Sequence, residues 1–393
     1  MDYVFSKHAS NVQGSAIRDL LSVISNPNIV SLAGGNPSPS TFPEEILADL
    51  SQNAILENGR SVLQYGATEG MMTLRESCND LNHIRGIRSE VENIIPTAGS
   101  TQGIDLISKI FLNDGDTILT ERPTFLGALQ TFYMYGAHVV GVSNDENGID
   151  LTDLEDKMKR YHPKFFYVIP NFQNPSGRTW SLEERKNVLA LAEKYNVLLL
   201  EDDPYGELRY EGMPIPPIQQ FDQNGLVIHL SSFSKTICPG LRVGYTTAAP
   251  AIVQKMFVAK QGVDVMTSNL SQVLVDGFLR SGRYAEHVAN NCQFYRTQML
   301  GMLDAIEKYF PKDVSVVRPE GGLFLWAELP EQIDADRLSY EAMERGVAYV
   351  PGEHFFSDEA KKNTLRLNFS LETVPNIRLG IERLGKLLNE KLT

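Results

Sequence analysis

A lysine placed among small hydroxyl side chains is the feature of this sequence that most directly suggests chemistry. Lys235 follows Ser232 and Ser234, and Arg242 lies seven positions further on. A lysine amine that condenses with a carbonyl needs a lowered pKa, which a nearby cation or an apolar pocket provides. A guanidinium can bind two phosphate oxygens, and the serine hydroxyls can donate to the others. The segment predicts a site for a phosphorylated aldehyde, although a solvated loop lysine has a similar local sequence.

Two apolar runs of the chain end in polar residues that such a site can use. The run at residues 196–200 leads into Asp202 and Tyr205, and an earlier run leads to a turn at Asn174. Both runs are typical of buried parallel strands. Because ligands of open α/β sheets bind beyond the carboxyl ends of the strands, we expect these polar residues to share one pocket with Lys235.

The elements that must position these residues alternate between helix and strand along the middle of the chain. Such alternation predicts an α/β fold with a mainly parallel sheet sandwiched by helices. The predicted helices are residues 101–112, 125–135, 151–161 and 182–195, and the predicted strands include residues 116–120, 138–142 and 226–230.

The C-terminal part of the chain follows a different order, which predicts a smaller α+β domain. The expected elements are a long helix at residues 283–310, a strand pair within 314–329, a helix, a short strand near 347–350, a strand at 365–369 and a final helix. With 393 residues, the chain exceeds the size at which single cores usually divide. We therefore expect two domains.

Composition argues against several classes of protein. The 36 basic and 49 acidic side chains give a net charge of −13, which disfavours nucleic-acid binding. No apolar stretch approaches the roughly 18 residues of a membrane span, and no signal pattern is recognised, so a cytoplasmic protein without membrane association is expected. Cys78, Cys238 and Cys292 lack the spacing of a disulfide framework or a zinc site, and no metal is predicted.

In order and spacing, the motifs of this chain resemble those of fold-type I pyridoxal-phosphate aminotransferases of class I/II. These motifs are Asn174-Pro175-x-Gly177, Asp202-x-x-Tyr205, Ser232-x-Ser234-Lys235 with Arg242, and a late Arg366. The resemblance spans residues 31–370 and is greatest to the branch that contains 2-aminoadipate and kynurenine aminotransferases. It implies pyridoxal 5'-phosphate as the cofactor and a homodimer with shared active sites. It also implies an N-terminal arm (1–45) that packs on a small domain (283–393), and a large cofactor-binding domain (46–282).

The resemblance assigns Lys235 two roles, as the anchor of the cofactor and as the general acid and base that moves the substrate proton. Asp202 would face the ring nitrogen, while strand alternation directs Asp203 to the opposite face. Tyr205 and Asn174 would bind the ring oxygen. The full set of expected cofactor contacts is Tyr65, Ser100, Thr101, Phe125, Asn174, Asp202, Tyr205, Ser232, Ser234, Lys235 and Arg242.

Several of these cofactor contacts have plainer alternative explanations. Ser100 and Thr101 begin a predicted helix, where amides and hydroxyls meet phosphates, but a helix N-cap uses the same residue types, and related enzymes often have glutamine in place of Thr101. Phe125 matches an aromatic residue that stacks on the cofactor ring; a core phenylalanine is its alternative. Tyr65 matches a loop that reaches the neighbouring subunit's phosphate, and its alternative is a surface turn.

Substrate contacts are expected from Gly35, Asn174, Arg366 and Arg18. An arginine among apolar strand residues needs an anionic partner, and the resemblance gives Arg366 the substrate α-carboxylate. Arg18, in a short helix predicted at residues 15–21, would meet the distal carboxylate of 2-aminoadipate or remain a solvated helix residue.

The predicted function is a ping-pong amino-group exchange between an amino acid and a 2-oxo acid. The expected donors are 2-aminoadipate, leucine-type or aromatic amino acids, and the expected acceptor is 2-oxoglutarate. A β-lyase of the same fold is an alternative, since it uses nearly the same cofactor residues. A cofactor-binding regulatory protein is a further alternative; it is disfavoured because the acidic chain leaves no room for a DNA-binding domain ahead of the arm.

Overall fold

A seven-stranded sheet forms the centre of the fold. The computed structural model describes residues 3–11, 28–145 and 148–392. The strands in spatial order are β2 (Ile94–Thr97), β10 (Gly244–Thr247), β9 (Val227–Ser232), β8 (Leu198–Asp203), β7 (Phe165–Val168), β3 (Thr117–Glu121) and β4 (His138–Val142). Within this sheet, β10 runs in the opposite direction to the other six strands. The predicted mainly parallel sheet is confirmed.

Both faces of this sheet are covered, because its strands are apolar on both sides. In β7, Phe165 and Tyr167 join the core under one face, and Phe166 and Val168 join the core under the other. The first core includes side chains of α4 (Ser100–Phe111), α5 (Leu126–Met134) and α8 (Pro250–Gln261), and the second includes those of α6 (Leu151–Tyr161) and α7 (Leu182–Tyr195).

Helix boundaries in this layer follow from local capping. Asp150 accepts hydrogen bonds from the first amides of α6, and Ser181 forms a capping box with Glu184 at the start of α7. Asn196 ends α7 in the left-handed conformation, with φ of 53°. The predicted bounds of both helices are confirmed.

A second sheet lies in the C-terminal part of the chain, where the sequence predicts strands, and its pairings are antiparallel. Its order is β11 (Ser315–Val317), β12 (Phe324–Glu328), β15 (Thr364–Asn368) and β14 (Val350–Pro351). The strand predicted near residues 347–350 is two strands, because the chain changes partner at Tyr349. Before it, β13 (Val347–Ala348) pairs in parallel with β1 (Val30–Ser31). The helices of this part are α10 (Tyr284–Tyr309), α11 (Ala335–Glu344) and α12 (Val374–Leu392).

The remaining described elements lie at the start of the chain and beside the large sheet. They are α1 (Lys7–Asn11), α2 (Glu44–Val62), α3 (Met72–Ile84), α9 (Asn269–Arg280) and the short pair β5 (Asn144–Asp145) and β6 (Gly148–Ile149). Of the arm, β1 joins β13, while α1 contacts α5. Arg18 and the helix predicted at 15–21 lie outside the described residues, and the domain boundaries at 45 and 282 stay predictions. Among the described helices, none combines the length and apolar character needed to cross a membrane.

Candidate active site

The carboxyl ends of three neighbouring parallel strands bring the candidate residues to one edge of the large sheet. Asp202 lies near the end of β8, Asn174 lies in the loop after β7, and Ser232 ends β9 just before Lys235. Because β7, β8 and β9 are adjacent and parallel, their following loops lie side by side. These residues therefore lie at one edge of the sheet, and the pocket that they are expected to share with Lys235 stays a prediction.

Lys235 lies in the turn after β9, and its amine is hydrogen-bonded to a backbone carbonyl from a remote part of the sequence. Its Nζ donates a hydrogen bond to the carbonyl oxygen of Gly35 at 2.8 Å. Burial, together with the positive charges of Arg366 and Arg242, lowers the pKa of Lys235 to about 8. A neutral amine, which is the nucleophilic form, is thus accessible near neutral pH.

Asp202 is a buried carboxylate with one oxygen free to bind a ligand. The side chain is 2% exposed, and its Oδ2 accepts a hydrogen bond from the Tyr167 hydroxyl at 2.7 Å. Within the described part of the chain, Oδ1 has no hydrogen-bond partner. Burial raises the pKa of Asp202 to about 7, which favours a proton or an N–H donor at this position.

Asp203 points away from this site, as strand alternation predicts. Its carboxylate is paired with Arg85 and also accepts a hydrogen bond from Asn171 Nδ2 at 2.9 Å. The Arg85 guanidinium holds the pKa of Asp203 below its usual value despite the burial of the carboxylate. The two consecutive aspartates therefore belong to separate networks.

Arg366 on β15 is buried against two aromatic rings. Its guanidinium carbon lies 4.2 Å from the Phe324 ring centroid and 5.0 Å from that of Phe355. Nη1 donates to Asn174 Oδ1 at 2.9 Å and Nη2 donates to the Ala33 carbonyl at 2.8 Å. Nε is buried without a partner among the described residues, and burial lowers the pKa of Arg366 to about 10. An anionic ligand would offset this cost.

Tyr205 joins this group from the loop that follows β8. Its ring meets that of Phe324 edge to face, with 6.0 Å between the centroids. Burial raises the pKa of the Tyr205 hydroxyl, while the Arg366 charge and a hydrogen bond with the Asn174 side chain oppose this shift. The hydroxyl is therefore a neutral hydrogen-bond donor at ordinary pH.

A second group of polar side chains, here called the cradle, surrounds the Arg242 guanidinium, whose charge acts on Lys235. Arg242 Nη2 donates to the Ala98 carbonyl at 2.7 Å, and Nη1 donates to Ser234 Oγ at 3.2 Å. Ser232 Oγ lies 3.0 Å from Ser234 Oγ. Ser100 begins α4, so its first amides and the positive end of the helix dipole also lie in this region.

Glycine is required at the base of this cradle. Gly99 has a φ of +88°, in the region that side chains disfavour, and a Cβ on it would lie 2.5 Å from Arg242 Nη2. The absence of a side chain at Gly99 therefore allows the guanidinium to approach the start of α4.

Three of the predicted cofactor-binding residues are more exposed than Asp202 and Arg366. Thr101 is exposed on the first turn of α4, and Phe125 is half-buried at the start of α5. Tyr65 is 79% exposed on a separate loop, where the Gly66 amide contacts Met266 Sδ at 2.7 Å.

Other residues of the site were not singled out from the sequence. Tyr167 lies on the same face of β7 as other core residues, so strand alternation marks it only as buried. Phe324 and Phe355 stack on Arg366 from other elements, and no local pattern distinguishes them from other core phenylalanines.

Comparison with known proteins agrees with this geometry. Residues 27–384 match the family described as aminotransferase class I and II. The chain is 40% identical to aromatic-amino-acid aminotransferase 1 of Thermococcus litoralis, over 100% of this chain and 96% of that protein.

Two solved structures share the whole fold. The kynurenine aminotransferase of Pyrococcus horikoshii, in complex with PMP, has a TM-score of 0.95 and 40% identity, over 99% of this chain and 98% of that one. The alpha-aminoadipate aminotransferase of Thermus thermophilus, complexed with N-(5'-phosphopyridoxyl)-L-leucine, has a TM-score of 0.91 and 38% identity over the same shares. The chain therefore belongs to the aminotransferase class I and II family, and it is an enzyme that transfers amino groups with pyridoxal phosphate as its cofactor.

Proposed function

We propose that the cofactor binds at the carboxyl ends of β7, β8 and β9, with Lys235 as its covalent anchor and proton carrier. When bound, pyridoxal phosphate supplies an aldehyde that takes up the amino group and a ring that withdraws electrons from the substrate Cα. The observation that carries the proposal is the position of the Lys235 amine close to the charges of two arginines, Arg366 and Arg242. Each arginine can hold one anionic group, the substrate carboxylate or the cofactor phosphate.

Lys235 is suited to move a proton because its amine and ammonium forms lie close in free energy. A pKa of about 8 leaves both forms accessible near neutral pH. The Gly35 carbonyl, which accepts its hydrogen bond, holds the amine at the substrate side of the site.

Asp202, Tyr205 and Asn174 are proposed to hold the ring. The free Oδ1 of Asp202 can accept a hydrogen bond from a ring N–H, and Tyr167 keeps the carboxylate in place through Oδ2. The Tyr205 hydroxyl and the Asn174 amide would donate to the ring oxygen, and Phe125 would cover one face of the ring.

The phosphate is proposed to lie in the cradle beside α4. Arg242 would bind it through its fork, together with the hydroxyls of Ser232 and Ser234 and the first groups of α4 at Ser100 and Thr101. We infer a homodimer in which Tyr65 reaches the phosphate of the neighbouring subunit, which suits its exposed position.

Arg366, Asn174 and Gly35 are proposed to bind the amino acid. Nη1 of Arg366 is oriented by Asn174 and Nη2 by the Ala33 carbonyl, which presents the guanidinium in one fixed orientation to a carboxylate. Arg18, outside the described residues, is proposed to meet a distal carboxylate. The proposed location of the enzyme is the cytoplasm.

The proposed donors are aromatic amino acids, kynurenine, 2-aminoadipate and leucine, in line with the names and bound ligands of the relatives, and the proposed acceptor is 2-oxoglutarate. The test is a panel of these donors, with 2-oxo acid product and glutamate measured in parallel. We expect the two products to form in equal amounts. A β-lyase needs a leaving group on the substrate Cβ, so an S-alkylcysteine is added to the panel. Sustained release of thiol, pyruvate and ammonia from it without any acceptor would instead indicate the β-lyase alternative.

A further inference from the structure

A fully buried lysine lies behind the proposed phosphate cradle and has no part in the chemistry described above. Lys260 is near the end of α8, and its side chain is 0% exposed. Its Nζ forms an ion pair with Asp264, at 2.8 Å from Oδ2 and 2.9 Å from Oδ1. The third donor direction is taken by Gln102 Oε1, at 2.8 Å. Burial lowers the pKa of Lys260, and the Asp264 carboxylate opposes that shift.

Gln102 connects this lysine to the start of α4. Its Oε1 also accepts a hydrogen bond from the Ala98 amide at 2.7 Å, and its Nε2 donates to Asp264 Oδ2 at 2.7 Å. The oxygen thus faces two donors, and the nitrogen faces a carboxylate. A flipped amide would place its NH₂ group against both donors, so only one orientation of Gln102 satisfies all of them.

Ala98 carries the connection to Arg242. Its N–H is held by Gln102, and its carbonyl accepts the hydrogen bond from Arg242 Nη2 at 2.7 Å. The next residue is Gly99, whose positive φ makes room for that guanidinium. A continuous chain of hydrogen bonds therefore runs from the Lys260 ammonium through Gln102 and Ala98 to Arg242.

We propose that Lys260 is a positioning residue for the cofactor phosphate, acting through Gln102 on the Ala98 backbone and so on Arg242. The inference rests on the proposed phosphate site. If these contacts were purely structural, the hydrogen bonds of Gln102 would join the end of α8 to α4 and stabilise the fold equally with and without a ligand. A positioning residue instead strengthens binding of the phosphate group in particular.

The test compares two ligands that differ only in the phosphate. The affinities of the apo enzyme for pyridoxal phosphate and for pyridoxal are measured by absorbance titration in Lys260→Met. Removing the ammonium takes one hydrogen-bond donor from the oxygen of Gln102 and one from the Asp264 carboxylate. We therefore expect pyridoxal phosphate binding to weaken about tenfold. Pyridoxal binding should stay within about twofold. Lys255→Met, an exposed lysine of the same helix, is the matched control and should leave both affinities unchanged.

A second variant keeps the test decisive if Lys260→Met fails to fold. Gln102→Leu removes both hydrogen bonds to Oε1 and should show the same selective loss. In the double variant the two losses should not add, because both residues act along one chain of contacts. Equal losses for pyridoxal and pyridoxal phosphate, or no loss, would overturn the role of Lys260.

Arg242→Met separates this outcome from a failure of the proposed function. If Arg242→Met lowers the affinity for pyridoxal phosphate selectively and the Lys260 and Gln102 variants do not, the phosphate site stands and the positioning role is wrong. If Arg242→Met has no selective effect, the phosphate site itself is misplaced, and the positioning role is lost with it.

Discussion

At the scale of single residues, the environment of Lys235 makes a prediction about pH. An amine attacks an aldehyde only when it is neutral, and the pKa of Lys235 is lowered to about 8 from a usual value of about 10.4. The rate at which apo enzyme combines with pyridoxal phosphate should therefore rise with pH and level off above about 8. Stopped-flow absorbance measures this rate.

Arg366→Gln offers a check on the cause of that pKa. Because the Arg366 charge contributes to lowering the pKa of Lys235, its removal should move the midpoint of the rate profile to higher pH. Arg345→Gln, a surface arginine paired with Glu390, should leave the midpoint in place. A midpoint near 10 in the wild-type enzyme would contradict this account of Lys235.

Arg366 itself should be needed by every amino-acid substrate, because each one carries an α-carboxylate. Leaving a carboxylate without its bidentate partner in a buried site costs about 2 to 5 kcal/mol, or roughly thirty-fold to several thousand-fold in kcat/KM for Arg366→Ala. Arg366→Lys should recover little, since an ammonium cannot reproduce the planar fork stacked on Phe324. Steady-state kinetics across the donor panel tests this prediction, and losses confined to acidic donors would move the α-carboxylate site elsewhere.

At the scale of elements, the loop that carries Asn174 is held by the buried Glu121 side chain at the end of β3, and burial raises the pKa of this carboxyl group to about 8. Glu121 Oε2 accepts a hydrogen bond from the Ile169 amide at 2.8 Å, and Oε1 accepts one from Trp180 Nε1 at 3.1 Å. Ile169 precedes the loop and Trp180 follows it, so Glu121 joins its two ends. The orientation of Asn174 toward Arg366 therefore depends partly on a residue in another strand.

Glu121→Gln should destabilise this arrangement, because an amide has one acceptor oxygen for two N–H donors. One buried donor would be left without a partner, and we expect the free energy of unfolding to fall by roughly 1–3 kcal/mol. Urea unfolding of the apo enzyme measures the change. Glu183→Gln, on the exposed first turn of α7, is the control and should have little effect. An unchanged unfolding midpoint for Glu121→Gln would show that the two hydrogen bonds are not important for stability.

At the scale of the whole molecule, the proposed homodimer makes a prediction about the exposed loop that carries Tyr65. Its neighbourhood also exposes other apolar side chains, among them Leu63 at 66% and Met72 at 56%. If this loop completes the neighbouring site, neither Lys235→Ala nor Tyr65→Ala chains should form a fully competent dimer on their own.

Mixing these two variants should restore activity. A mixed dimer has one site with both defects and one site with Lys235 and Tyr65 both intact. After partial unfolding and refolding to exchange subunits, turnover should exceed that of either parent. Exchange is verified with differently tagged chains. A verified mixed dimer with no gain would place Tyr65 in its own subunit's site or outside any site.

The sequence by itself determined the features that depend on near neighbours in the chain. The bounds of α6 and α7 follow from caps such as Asp150 and Ser181, whose hydrogen bonds join residues within three positions. The alternation of helix and strand predicted the mainly parallel sheet, and the polar residues near the ends of its strands predicted that Asp202, Asn174 and Lys235 lie at one edge of it. These signals are local, so they are readable before the chain folds.

Only the tertiary structure decided which distant groups complete the site. Lys235 meets Gly35 across 200 positions, Arg366 meets Asn174 across 192, and Lys260 meets Gln102 across 158. The packing of separate strands, loops and helices sets these contacts, and no spacing in the sequence encodes them. Whether a buried polar group is hydrogen-bonded depends on which partner the packing brings within reach. For Lys260, that partner is known only from the folded structure.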